Sequence, residues 1–288
     1  MKKTGIYVPL ITPFNSDFSV DYEGVAKATR FVLEKGADGI YACGGSSEFS
    51  LLKTEERKKI LEVIIANADG KEVIAHVGSQ ETAEAIELAQ HAEKAGASML
   101  SAVAPYYFDY TFKQIKDYFH SIAHATSLNL MIYNAAQARS YSLEEMKELL
   151  LDEKITSVKY TGDNFFFLER LIDEYPNKKF YTGADECFLA GQGVGAHGAI
   201  GTTFNYYAEK YIQAKELFHN GKLQDALAVI KKVNGLTELM FEADSMLAST
   251  KYLMTLQGLD IAPISRPPFD YVTDEFKSKL REYYENNK

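Results

Sequence analysis

Lys35-Gly36-Ala37-Asp38-Gly39-Ile40-Tyr41-Ala42-Cys43-Gly44-Gly45-Ser46-Ser47-Glu48 holds one complete joint of the chain. A helical pattern ends at Gly36, as a helix followed by a left-handed glycine should. A short apolar run, 39–43, follows and reads as a buried strand. It opens into a glycine- and serine-rich loop, and Thr54-Glu55-Glu56 then starts the next helix with a capping-type opening. The same joint recurs at Ala95-Gly96-Ala97, and Ser142-Leu143-Glu144-Glu145 provides another capping opening.

Working outward, strand patterns fall at 5–10, 39–43, 73–77, 99–103, 128–133, 156–159, 179–182 and 198–201. Helical patterns fall between them, near 21–35, 54–68, 81–95, 112–125, 142–151, 164–175, 184–194 and 205–220. Eight strand–helix units in series predict a parallel (β/α)8 TIM barrel in preference to a doubly wound open sheet. Residues 1–221 are expected to form the barrel, and 222–288 a helical extension packed on it. In that extension 223–254 reads as helix broken near Asn234-Gly235, and 273–284 as a last helix, with Pro263, Pro267 and Pro268 stiffening the connection.

Composition narrows the function. The 288 residues carry 31 Lys and Arg against 40 Asp and Glu, a net charge of -9, with no basic stripe for nucleic acid or a membrane surface. No apolar run approaches the roughly 18–20 residues of a membrane helix, and the chain reaches Pro9 too early for a signal peptide. Two cysteines, Cys43 and Cys187, without CxxC spacing fit a reducing cytoplasm. His91, His120, His124 and His219 fall on helix surfaces, His76 and His197 near strands. No HxH or HExxH pattern recruits a metal, so neither metal nor cofactor is expected.

In a (β/α)8 barrel the chemistry sits where strands end. Here those ends carry Gly44–Glu48, Pro105-Tyr106-Tyr107, Tyr133-Asn134, Lys159-Tyr160-Thr161, Gly183-Ala184-Asp185-Glu186 and Gly201-Thr202-Thr203-Phe204-Asn205. A lysine amine held in the mouth, away from bulk water, is disposed to attack a ketone and form a Schiff base. Tyr133, ending the preceding strand, supplies a phenol for proton transfer beside Lys159. The Gly44–Glu48 loop suits a carboxylate better than a phosphate, since no Walker-type or strand-linked GxGxxG motif is present. Gly191-Gln192-Gly193-Val194-Gly195 reads as tight packing, and Cys43 lacks an adjacent base.

This ordered set resembles the superfamily of pyruvate-dependent class I aldolases that contains N-acetylneuraminate lyase and dihydrodipicolinate synthase. The likeness runs over nearly the whole chain, from Pro9-Leu10-Ile11-Thr12-Pro13-Phe14 through Ser101–Tyr107 to Gly198–Asn205. Val158-Lys159-Tyr160-Thr161 looks like the neuraminate lyase version of the Schiff-base strand, as does Gly183-Ala184-Asp185-Glu186. The resemblance implies reversible cleavage of N-acetylneuraminate, a sialic acid, to pyruvate and N-acetylmannosamine. Lys159 would form the imine and Tyr133 would move the proton. Gly45 and Ser46 (or Ser46 and Ser47 if the loop is shifted by one residue) would hold the pyruvyl carboxylate. Thr161 would contact the C4 hydroxyl, and Gly183, Asp185, Glu186 and Thr202 the polyol. Tyr107 matches a tyrosine that reaches a neighbouring subunit, which implies a homotetramer.

Two positions depart from the family pattern. Gly45 and Ser47 stand where a hydroxyl residue and a glycine are usual, and Ala135-Ala136 replaces the proline-containing segment after Tyr133. The alternatives are dihydrodipicolinate synthase, an aldolase for another 2-keto-3-deoxy sugar acid, and a non-catalytic barrel that binds pyruvate or sialic acid. The synthase should carry an arginine where this chain has Ala138, with Arg139 one place along.

Overall fold

The computed structural model describes residues 5–135 and 137–287. Among these residues eight parallel strands close into one barrel in chain order. They are β1 (Gly5–Pro9), β2 (Gly39–Ala42), β3 (Glu72–His76), β4 (Met99–Val103), β5 (Leu130–Ala135), β6 (Ile155–Thr161), β7 (Lys179–Thr182) and β8 (Gly198–Ile200). The seam closes between β8 and β1, where Gly198 pairs with Gly5. Eight helices alternate with the strands: α1 (Tyr22–Glu34), α2 (Thr54–Asn67), α3 (Thr82–Ala95), α4 (Phe112–Ala123), α5 (Leu143–Leu150), α6 (Phe165–Glu174), α7 (Phe188–Gly193) and α8 (Phe204–His219). The expected (β/α)8 fold is the fold observed.

The period of two along each strand sorts side chains between two cores. One set, Tyr7, Tyr41, Ile74, Met131, Tyr181 and Ile200, packs together with Met99. The other set, including Ile6, Val8, Ile40, Ala42, Ile132 and Val158, meets the apolar stripes of the helices. Local signals set the helix ends. Ser142 accepts from the Glu145 N–H (3.1 Å) while Glu145 accepts from the Ser142 N–H (2.9 Å), a reciprocal cap. Gly96 ends α3 at φ +95°, a conformation costly for any residue with a Cβ.

Three helix boundaries differ from expectation. The cap of α2 is Lys53, whose N–H donates to Glu56 (2.8 Å), while the Thr54 hydroxyl turns to Glu84. Beyond the barrel, α9 (Leu223–Phe241) runs unbroken through Asn234-Gly235, and the break falls later, before α10 (Met246–Leu256), which Ser245 caps. Gly235 serves α11 (Asp274–Asn286) instead: a Cβ there would lie 2.0 Å from the Tyr283 hydroxyl. The glycine marks a close helix approach, not a helix end. At 184–194 a 3-10 turn, Asp185–Cys187, precedes the shorter α7, and Gly191 lets that helix pack within contact of Thr182.

The helices after the barrel are tied to it by a buried ion pair. Lys251, in the middle of α10, donates from Nζ to Glu48 (2.7 Å) and to the Ile264 carbonyl (2.7 Å), and both charged side chains are fully buried. The Arg266 N–H donates to the second Glu48 oxygen (2.8 Å), and its guanidinium reaches Glu56 and the carbonyls of Phe18 and Leu51. Desolvation pushes the Lys251 amine down to about 8, with the Glu48 carboxylate working against that fall. Removing one member of such a pair strands the other charge. Lys251→Ala is therefore expected to cost about 3–5 kcal/mol of stability by denaturant unfolding, and Lys251→Met with Glu48→Gln less than the sum of the two single changes.

Candidate active site

On β6 the alternation carries Ser157, Lys159 and Thr161 on one face, with the fully buried Val158 between them. Tyr133 on β5 is the ladder partner of Lys159. Lys159 is nearly enclosed, at 5% exposure, and its amine lies 4.3 Å from the ring centre of Tyr133 and 4.7 Å from that of Tyr41. Tyr41 is held from behind by a hydrogen bond with the Ser101 hydroxyl (2.9 Å) and meets Tyr133 edge to face at 6.3 Å. An amine between two tyrosine rings, shielded from water, has the surroundings a nucleophilic lysine needs.

His76 lies beneath this pair as a structural residue. Its ring meets Tyr133 at 6.2 Å and near-perpendicular. The Val103 N–H donates to Nε2 (3.3 Å), which places the proton on Nδ1, where it is donated to the Cys43 carbonyl (2.9 Å). Burial, reinforced by the nearby Arg57 charge, holds the imidazole well below its usual range, so it stays neutral. Arg57 in turn donates to the carbonyls of Gly78 and His76. The Cys43 thiol, pushed up to about 11 by burial, is no nucleophile at neutral pH.

The loop after β2 forms a 3-10 turn, Gly45–Ser47, with Glu48 beyond it in the left-handed region at φ 59°. Its two serines have different employments. The Ser46 hydroxyl pairs with Thr202 from the loop after β8 (2.7 Å). The Ser47 hydroxyl donates to the Leu10 carbonyl (2.5 Å), and the Ser47 carbonyl accepts from Thr12 (2.9 Å). Ser47 thus fastens the loop to the end of β1 and leaves Ser46 as the serine beside Thr202. At Gly45 an added Cβ would meet nothing within 4 Å.

Gly183 is different. A Cβ there would stand 2.0 Å from the Thr161 hydroxyl and 3.0 Å from Cε of Lys159. Only glycine leaves both side chains where they are. The Thr161 hydroxyl is buried without a hydrogen-bond partner, an unmet demand beside the lysine. Asp185 is buried, and one carboxylate oxygen accepts from both the N–H (2.7 Å) and the hydroxyl (2.8 Å) of Thr203, whose hydroxyl also meets Tyr211 (2.8 Å). Glu186 is exposed, with its carbonyl accepting from Asn234 of α9 (2.9 Å). Tyr107 is 78% exposed, edge-on to Phe108 at 4.9 Å. Arg139 is engaged elsewhere, by the Tyr110 carbonyl (3.0 Å) and Glu145 (2.8 Å). Ala136 lies outside the described residues.

Fold and mouth together define a (β/α)8 barrel with an enclosed lysine at the end of its sixth strand and a tyrosine beside it. The sequence model of the Dihydrodipicolinate synthetase family matches residues 2–286, and the chain belongs to that family. It is 34% identical to an N-acetylneuraminate lyase of Rhizobium meliloti, across 98% of this chain and 94% of that one. It is likewise 34% identical to an N-acetylneuraminate lyase of Fusobacterium nucleatum, across 98% and 99%. Among solved structures it resembles CdNal from Clostridium difficile in complex with mannosamine, at TM-score 0.95 and 32% identity over the whole of both chains. The F. nucleatum lyase complexed with pyruvate superposes at TM-score 0.93 with 33% identity, covering 99% of each chain.

Two outcomes follow from this geometry. Gly183→Ala should leave the barrel folded by circular dichroism yet displace Lys159, cutting turnover by about 10²-fold, the scale of a misplaced reacting group. Burial lifts the Asp185 carboxyl from 3.8 to about 6, against the two Thr203 hydrogen bonds. Between these values the folded state binds the proton that the unfolded chain releases, so Asp185 contributes stability below about pH 4 that is lost as pH rises through about 6. Asp185→Asn should remove that part of the pH dependence in denaturant melts, and an unchanged profile would refute it.

Proposed function

We propose that this chain is a class I aldolase that cleaves N-acetylneuraminate reversibly to pyruvate and N-acetylmannosamine. The enclosed amine of Lys159 beside Tyr133, with the unpartnered Thr161 hydroxyl against it, carries the reading. The lysine attacks the C2 ketone of the open-chain sugar, and loss of water leaves a protonated imine. The C3–C4 bond then breaks, its electrons passing into the imine to give an enamine, while the C4 hydroxyl loses its proton and becomes the aldehyde of N-acetylmannosamine. Tyr133 carries that proton, and Thr161 orients the C4 oxygen. Protonation of the enamine at C3 and hydrolysis release pyruvate and restore the lysine.

The carboxylate is received by Gly45 and Ser46, at the opening of a turn whose first N–H groups have no partner within it. Ser47 acts behind them, through Leu10. Gly183, Asp185, Glu186 and Thr202 border the space for the polyol, with Asp185 shaping the backbone through Thr203. The lyase names of the relatives and the pyruvate and mannosamine complexes of the structural neighbours support the choice of substrate. The commitment of Arg139 to Tyr110 and Glu145 speaks against the synthase alternative, which needs an arginine for a second carboxylate. The working unit is a homotetramer in the cytoplasm, in which Tyr107 reaches a neighbour's mouth. Its exposure supports that role, and the unpaired Cys43 and Cys187 fit the compartment. No helix among the described residues is long and apolar enough to cross a membrane.

Pyruvate release from N-acetylneuraminate tests the reading. Borohydride in the presence of pyruvate should trap an adduct on the peptide containing Lys159, and Lys159→Ala should abolish both adduct and turnover. An adduct elsewhere, or wild-type turnover in that variant, would end the assignment. Tyr133→Phe should still form the adduct while turnover falls by about 10²- to 10⁴-fold, the range of a positioned acid–base group. An adduct with no cleavage of N-acetylneuraminate would keep the aldolase class and exclude this substrate.

A further inference from the structure

A second cluster of ligand-type side chains lies in the helical layer. His120, in the last turn of α4, and His124, immediately after it, are four residues apart and share one face, with ring centres 4.2 Å apart. Asp152, between α5 and β6, meets both. Its Oδ2 is 3.0 Å from His120 Nδ1 and 3.1 Å from His124 Nε2, and its Oδ1 is 3.2 Å from the latter. All three donor atoms fall within 4.8 Å of one another, which no other such trio does among the described residues. The geometry points to a binding site for one zinc ion, held by His120, His124 and Asp152 with water completing the shell.

The spacing suits the ion. Bonds of about 2.0–2.1 Å in a tetrahedron set donor atoms roughly 3.3–3.4 Å apart, so the nitrogen–oxygen separations need to open by only a few tenths of an ångström. Two imidazoles and a carboxylate favour zinc over magnesium or calcium, which prefer all-oxygen shells. The carboxylate is also held in place, since its Oδ1 accepts from the Lys154 N–H (2.9 Å). Nearby amines are occupied: Lys154 Nζ donates to the carbonyls of Thr126 and Ser127, and Lys178 Nζ to those of Asp152 and Ile155. The histidine side chains are 64% and 46% exposed, so an ion from solution reaches them.

The cluster joins the end of α4 to the entrance of β6, at the opposite end of that strand from Thr161. Zinc there clips two elements together and acts on stability, not on the reaction. Chain stripped with a chelator and returned to chelator-free buffer should bind one zinc per chain by calorimetry and melt at higher temperature with zinc present. Pyruvate release should be unchanged. His120→Ala and His124→Ala should each weaken binding by at least about tenfold, since even an outer-shell partner is worth about 10–100-fold. No uptake by the stripped wild type in excess zinc, or equal uptake by a chain carrying both His120→Ala and His124→Ala, would overturn the proposal. Neither result bears on Lys159 or the aldolase reading.

Discussion

Closure of a parallel ladder is the constraint on which everything else rests. Once β8 pairs with β1, no strand can slip without breaking the seam, and every second residue of each strand is committed to the interior. Ser157, Lys159 and Thr161 follow one another on β6 at that interval, as Met131 and Tyr133 do on β5. The register that sets Tyr133 beside Lys159 is thus the register that buries Val158 and Ile132 against the helices. Lys159 and Tyr133 have no independent freedom of position. They inherit the rigidity of the core.

Much of this was legible in the order of residues because the signals were local. Gly36 and Gly96 stop helices wherever they stand, the apolar runs are short and evenly spaced, and Lys159 stands at the end of the run Ile155-Thr156-Ser157-Val158. The parts that escaped depend on partners far along the chain. Glu48 reads as one more acidic residue until Lys251 and Arg266 arrive beside it. Yet Lys251 is the single charged residue within Met246–Leu256, and a lone charge in an apolar helix asks for a buried partner. Tyr41 lies two places before Cys43, and strict alternation along β2 would have carried it inward. Asp185, which the resemblance sets against the polyol, has one carboxylate oxygen taken by the N–H and hydroxyl of Thr203, a backbone-supporting contact that no local signal announces. Composition cannot distinguish a carboxylate that faces a ligand from one that supports the backbone behind it.

The buried ionisable groups around the mouth divide by what satisfies them. His76 and Arg57 are met by backbone carbonyls and N–H groups, Glu48 by an amine, and Asp185 by a threonine and its own loop. Each is held by hydrogen bonds from within the protein, though Arg57 Nε is left without one, so each is a fixed part of the scaffold. The Thr161 hydroxyl, beside the lysine, is left without such a partner.

The pairing of Glu48 with Lys251 spans 203 residues of chain, and this distance has a consequence during synthesis. Translation at about 5–20 residues per second separates the two by roughly 10–40 seconds. Throughout that interval the emerging barrel carries a carboxylate destined for its interior and no counter-charge for it. A chain cut short before α10 would hold the eight strands of the barrel and lack the amine that meets Glu48 at its entrance.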